Sequence, residues 1–277
     1  SATPGSIDLA KQPTAQEVLV VELVNRARAN PGAEATRLGI GLNDGISGTQ
    51  IADTPKQPLA HNLLLIESSR RHSQWMLDED IFSHTGINNS TPHERMQAAG
   101  YVFTGNWTSG ENIAWGGTSG SSINLTTYAV SQHEGLFKSP GHRENILNGN
   151  FRELGVGQLQ GYFLNDGRNF LSSMLTQNFA RSGANYFLTG VIYDDKNSNN
   201  FYDVGEGLSG ISITTNGTSY PVYNSGGYSI PLANGNYELS ITGDALGAPV
   251  FYSVQVSNQN RKLDVIKTGA SIRVAVP

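Results

Sequence analysis

The chain contains no cysteine, which excludes disulfide frameworks, thiolate nucleophiles and cysteine zinc sites. Charge is also scarce. Only 15% of residues are charged and the net charge is -5, so there is no basic footprint for nucleic acid and no polybasic membrane patch. No apolar run approaches the roughly 20 residues that a spanning helix needs. The opening stretch "SATPGSIDLAKQ" carries no signal-peptide pattern and reads as the start of a mature or trimmed chain. What the chain has instead is glycine, 32 of them, together with many Asn, Ser and Thr. That composition is globular rather than disordered. A length of 277 residues suggests two domains.

The two halves differ in pattern. In "TAQEVLVVELVNRARANPG", Thr14 and Glu17 have capping-box spacing, and Val20, Leu23, Val24 and Ala27 recur with helical period. "HNLLLIESSRRHSQWMLDED" reads as a second helix. "TPHERMQAAG" reads as a third, with Thr91 and Glu94 as a capping box, Pro92 at its first position and Gly100 as its stop. A fourth helix is expected over 127–138, and strands in "RELGVGQLQG" and "NFLSSMLTQNFA". Beyond about Arg181 the pattern becomes short alternating segments with Gly and Asn punctuation, the mark of an all-β sandwich. The fold class is therefore α+β followed by all-β. The expected division is an N-terminal extension over 1–13, a mixed domain over 14–181 and a β-sandwich over 182–277. All six histidines (61, 72, 84, 93, 133 and 142) lie in the first half, so imidazole chemistry belongs there.

"DKNSNNFYDVGE", residues 195–206, places oxygens at alternating positions. Asp195, Asn197, Asn199, the Phe201 carbonyl, Asp203 and Glu206 fall at the first, third, fifth, seventh, ninth and twelfth places of an EF-hand loop. The spacing predicts a Ca2+ site. The sixth place, normally Gly, is Asn200, which tolerates a positive φ better than most residues. The loop sits between strands, in "LTGVIYDDKNSNNFYDVGEGLSGISI". That string resembles the B-type repeats of bacterial surface adhesins and their Cna-B-like relatives. The resemblance implies a prealbumin-like or Ig-like sandwich, a spacer or presentation module with structural calcium.

In the first half, "SHTG" carries His84, "GENIA" carries Glu111 and "SPGHRENIL" carries His142, each beside glycine where side chains can converge. In the last motif Ser139 is a candidate N-cap and Pro140 the first helical residue. With "FRELGVG" and "TQNFA" following in order, residues 14–181 resemble the bacterial branch of the CAP superfamily of cysteine-rich secretory, antigen 5 and pathogenesis-related proteins. The resemblance implies an α-β-α sandwich with a cleft lined by two His and two Glu, whose histidines hold a divalent cation in some members. By position it puts His84, Glu111 and His142 in the cleft. Glu134 is the nearest acid to the fourth place, which itself falls near Lys138. It also implies an extracellular or cell-surface location.

Two imidazoles and a carboxylate suit Zn2+ with an open position. The same groups could serve as general base and orienter without metal, Glu111 and Glu134 being the candidate catalytic acids. They could equally form a polar floor that binds a small molecule, lipid or peptide, or a hydrogen-bonded brace between layers. Trp115, just after "GENIA", is the best placed of the three tryptophans to touch a ligand.

Overall fold

The computed structural model describes residues 11–277, so residues 1–10 of the expected N-terminal extension lie outside the described residues. Helix α1 (Ala15–Ala29) begins at a complete capping box. Thr14 Oγ1 accepts from Glu17 N, and the Glu17 carboxylate accepts from Thr14 N. It is followed by α2 (Pro31–Arg37), β1 (Ala60–His61), α3 (Leu63–Glu79), α4 (Pro92–Ala98), β2 (Thr108–Thr118), α5 (Leu125–Lys138), α6 (Pro140–Ile146), β3 (Glu153–Asn165) and β4 (Arg168–Arg181). The sheet order is β1-β3-β4-β2, with β1 parallel to β3 and the other pairs antiparallel.

Alternation along β4 separates the two layers. Leu175 and Phe179 pack with Val20, Val24, Leu136, Phe137 and Ile146, placing α1, α5 and α6 on one face. Met174 and Ala180 pack with Met76, Leu65 and Met96, placing α3 and α4 on the other. Helix α3 lies unusually close to β3. A Cβ on Gly155 would fall 2.1 Å from the Leu65 carbonyl carbon, and one on Gly157 would fall 2.4 Å from Arg70 N. Ser69 and Ser73 hydroxyls donate to the Gly155 and Gly157 carbonyls at 2.8 and 2.9 Å.

The regular elements of the C-terminal part are strands together with the helical turn Asp244–Leu246: β5 (Tyr186–Asp194), β6 (Ser212–Thr215), β7 (Thr218–Pro221), β8 (Gly227–Leu232), β9 (Gly235–Thr242), β10 (Val250–Val256), β11 (Arg261–Lys262), β12 (Asp264–Thr268) and β13 (Ser271–Ala275). One sheet runs β10-β9-β6-β7. In the other, β5 pairs with β8 on one side and with β11 and β12 in parallel on the other, and β13 lies outside β12. Leu188, Ile192, Ile213, Tyr228, Ile241 and Val265 fill the space between the sheets.

The two parts share a core. The outer face of α1, Val18, Leu19 and Leu23, packs with Val191, Tyr193, Tyr202 and Ile266. Asn260 donates to the Pro58 and Arg152 carbonyls at 2.9 and 2.7 Å. Among the described residues, no helix is long and apolar enough to cross a membrane.

Candidate functional site

"GENIA" forms part of a strand rather than a loop. Glu111 is the fourth residue of β2, an edge strand, so both faces of the sheet meet beside it. Its glycines hide the strand from propensity reasoning. They are used where helix side chains press on β2: a Cβ on Gly116 would lie 2.8 Å from the Tyr128 ring.

The Glu111 carboxylate is buried and both of its oxygens accept hydrogen bonds. Oε1 accepts from His84 Nδ1 at 2.9 Å, and Oε2 accepts from Arg95 Nη2 at 2.7 Å and Asn178 Nδ2 at 2.9 Å. His72 Nε2 stands 3.9 Å from Oε1. Burial pushes the Glu111 pKa up, but the His84 hydrogen bond and the Arg95 charge outweigh it and hold the carboxyl below its ordinary value. Arg95 is itself locked, its Nη1 donating to the His84 and Ser90 carbonyls at 2.9 and 2.8 Å. Thus α4 fixes both the acid and the loop that carries His84.

His84 is half-exposed, with its Nδ1 tied to Glu111. His142 is the third residue of α6. Ser139, at the N-cap of that helix, makes no capping bond. Its Oγ lies 2.8 Å from His142 Nδ1 instead, so the serine serves the histidine and not the helix end. Burial, and then the nearby charge of His84, depress the His142 pKa. Asn112 Nδ2 donates to the His142 carbonyl at 3.2 Å, and Asn145 Nδ2 donates to the Glu111 carbonyl at 3.1 Å, joining α6 to β2. Each ring therefore has Nδ1 engaged, and neither Nε2 makes a hydrogen bond among the described residues.

The other expected residues are elsewhere. Glu134 is partly exposed on α5 and makes no hydrogen bond or ion pair with the cluster among the described residues. Trp115 is on the same pleat as Glu111 but four residues along, roughly 13 Å by strand rise. It packs against Phe163 and Phe170, and its indole N–H donates to Ser172 Oγ at 2.8 Å. The sequence motifs do not point to His72, Arg95 or Asn178. A signal exists for His72: the core-facing side of α3 reads Leu65, Ser69, His72, Met76, polar residues where apolar ones belong. Among the described residues, no group of three or more His, Cys, Asp or Glu side chains stands ready to hold a metal.

In the 195–206 loop, Asn200 has φ 59°. Asp195 accepts from Asn199 N and Asn200 N at 3.1 Å each, Glu206 accepts from Lys196 N and Asp203 N, and Asp203 accepts from the Asn197 and Asn199 amides. Asp195 and Glu206 are 2% and 5% exposed. No basic side chain pairs with either among the described residues. Burial, Asp203 and Asp195 together raise the Glu206 pKa, in spite of hydrogen bonds from the backbone at Asp203 and Lys196. Within the loop, Phe201 and Val204 pack on the α1 side of the molecule, with Arg26 over the Phe201 ring at 5.2 Å.

The uncharacterized protein YkwD of Bacillus subtilis (strain 168) is 33% identical over 104 residues, 38% of this chain and 36% of that protein. An extracellular SCP-domain protein of Bacillus anthracis str. Ames is 30% identical, covering 46% of this chain and 35% of that one with a TM-score of 0.34. An outer surface protein of Borrelia burgdorferi is 14% identical, covering 65% of this chain and all of that one with a TM-score of 0.37. The chain spans about a third of the length of the two Bacillus relatives. The family model for CAP, the cysteine-rich secretory protein family, matches residues 21–179. That stretch is more than half of the chain and contains every residue of the His84–Glu111–His142 arrangement, so this cysteine-free protein belongs to the CAP family.

Proposed function

We propose that the chain is an extracellular CAP-domain protein that binds a small molecule, lipid or peptide at the β2 edge, where His84 and His142 offer two imidazole nitrogens to a divalent cation such as Zn2+. The observation that carries this reading is how the rings are held. His84 has a carboxylate on Nδ1, and a tautomer of His142 with Nδ1–H donating to Ser139 leaves its Nε2 lone pair outward. An acceptor behind the ring fixes a metal-binding imidazole in this way. A site of two imidazoles leaves coordination positions for ligand oxygens, and the bound ion would polarise them. Glu111 then acts as an orienter. A general base at neutral pH wants a raised pKa, whereas the Glu111 carboxyl is held below its ordinary value, so binding is the favoured role.

The C-terminal part is read as a prealbumin-like, calcium-stabilised spacer or interaction module. Support comes from Asp195 and Glu206, buried carboxylates that no basic side chain neutralises among the described residues.

Calorimetric titration of the EDTA-stripped chain tests both parts. Zn2+ is expected to bind the wild type and to bind His142→Ala at least tenfold more weakly. Equal binding overturns the His84/His142 site, and peptide or ester turnover that disappears in the variant overturns the binding role in favour of hydrolysis. Ca2+ is expected to raise the melting temperature of the stripped chain. An unchanged midpoint overturns the loop assignment.

A further inference from the structure

Strand β2 is one edge of the first sheet, and the hydrogen bonds around it show which of its backbone groups point outward. Along an antiparallel strand, the N–H and C=O of one residue point to the same side, and successive residues alternate. Gln158 N, on β3, donates to the Glu17 carboxylate at 3.1 Å, so Gln158 turns away from β4. Its β4 partner Leu175 therefore turns toward β2, where it faces Ala114. By alternation Ala114 and Gly116 bond to β4, and Glu111, Ile113, Trp115 and Gly117 face outward. The Glu111 carbonyl has the same phase, because it accepts from the Asn145 side chain of α6 at 3.1 Å.

Beyond Glu111 the edge is open. The outward N–H and C=O groups of Ile113, Trp115 and Gly117 have no partner among the described residues. The residues from Ala114 to Thr118 are all partly exposed. Sheet edges are ordinarily blunted by lysine, proline or a bulge. The stretch "NIAWGGTSG", residues 112–120, has no charged residue and no proline, and the β2–β4 register is unbroken from Thr108 to Thr118. At Glu111 the edge reaches the candidate site. The loop carrying His84 meets that residue through its carboxylate, and α6, which carries His142, meets it through its carbonyl.

We propose that the outer edge of β2, from Ile113 to Gly117, binds an extended peptide that joins the sheet as an added strand and runs on to the His84–Glu111–His142 site. This names the ligand class of the site proposed above and rests on that reading. The open groups recur at every second residue, roughly 7 Å apart. An extended polypeptide presents its own carbonyls and N–H groups at that repeat, and main-chain bonds of this kind are how added strands are held. A lipid chain has no such groups, and a sugar carries hydroxyls without that repeat. The Asn145 carboxamide already makes one such bond at Glu111, and the peptide continues the row.

The probes are random heptapeptides displayed on phage and panned on the full chain in EDTA. An enriched peptide is then synthesised and titrated while amide hydrogen exchange is followed by NMR. In the free chain the Ile113, Trp115 and Gly117 amides are expected to exchange quickly, and those of Ala114 and Gly116 slowly. Saturating peptide should slow the first three at least tenfold and leave the other two unchanged. N-methylation at every second peptide residue should weaken binding at least tenfold in one phase and little in the other, because alternate N–H groups face β2. The absence of an enriched peptide, unchanged exchange at the three outward amides, or equal tolerance of both N-methylated forms overturns the proposal. Slow exchange of those amides in the free chain that is lost on dilution overturns it in favour of a second copy of the chain on the edge. The Zn2+ titration is independent of these results. A normal Zn2+ site without peptide pairing overturns this inference alone, and peptide pairing with equal Zn2+ binding by His142→Ala overturns the cation alone.

Discussion

Glu111 shows how much one buried carboxylate organises. Its three donors come from the loop after α3, from α4 and from β4. Glu111→Gln removes the charge opposite Arg95, whose side chain is 6% exposed. Breaking a buried ion pair by removing one partner costs about 3–5 kcal/mol, and a glutamine that keeps some bonds should fall near the lower figure. The pH dependence follows from the depressed pKa. The folded carboxyl titrates below its ordinary value of 4.5, so its stabilisation is complete above that pH and is lost as the pH falls toward the folded value. Urea denaturation from pH 7 to pH 3 should show a smaller acid loss in Glu111→Gln than in the wild type. The three motif residues were legible because they lie beside glycines in short, unusual strings. Arg95 and Asn178 were not, because an arginine in "HERMQ" and an asparagine in "TQNFA" look like ordinary surface residues until a buried acid explains them.

At the scale of elements, the helices were legible and the sheet only partly so. Capping boxes at Thr14 and Thr91 set two helix starts, and both are present. The strand β2 escaped because a glycine-rich edge strand carries little β-propensity signal. The meaning of "GVG" in β3 escaped too. A single sequence cannot show that a helix backbone crosses at that point. Gly155→Ala and Gly157→Ala test this contact. A methyl group 2.1–2.4 Å from α3 backbone atoms cannot be absorbed by a side-chain rotation. The helix must move off the sheet and the Ser69 and Ser73 bonds stretch. Overpacking typically costs about 1–3 kcal/mol, and these variants should reach the top of that range or exceed it in urea denaturation. Alanine at the partly exposed Gly32 is a useful contrast, because the nearest atoms there belong to the Asp53 side chain, which can swing away.

At the scale of the molecule, α1 explains why the two halves act together. Its buried residues run nearly all round the helix, polar ones such as Glu22 and Asn25 among them, so it has to be covered on both sides. Val20, Val24 and Ala27 meet the sheet, and Val18, Leu19 and Leu23 meet the C-terminal strands. The helical period of Val20, Leu23, Val24 and Ala27 was legible in the sequence, but not that the C-terminal half would cover a second face. The seam also holds a charge cluster. Lys262 Nζ donates to Glu22 Oε1 of α1 at 3.0 Å and to both Asp264 oxygens at 2.8 and 2.6 Å. Lys262, between two acids, is held charged well above the ordinary lysine pKa in spite of its burial, so it remains a cation throughout the neutral range. Burial pushes Glu22 up to about 7, against the opposing pull of Lys262. A carboxyl that titrates higher folded than unfolded binds more protons in the folded state, so its share of stability declines as pH rises from 4.5 to about 7. Lys262→Met leaves two acids facing each other across the seam without a cation. It should cost about 3–5 kcal/mol and split urea unfolding into two steps as the halves separate. Adding Glu22→Gln and Asp264→Asn to Lys262→Met should restore a single step. The amide oxygen that Asp264→Asn introduces can still accept from Val191 N, as Asp264 Oδ1 does at 2.9 Å. Glu22→Gln alone should flatten the decline between pH 5 and pH 8. A single, unshifted transition in Lys262→Met would show that the apolar seam holds the halves together without the cluster.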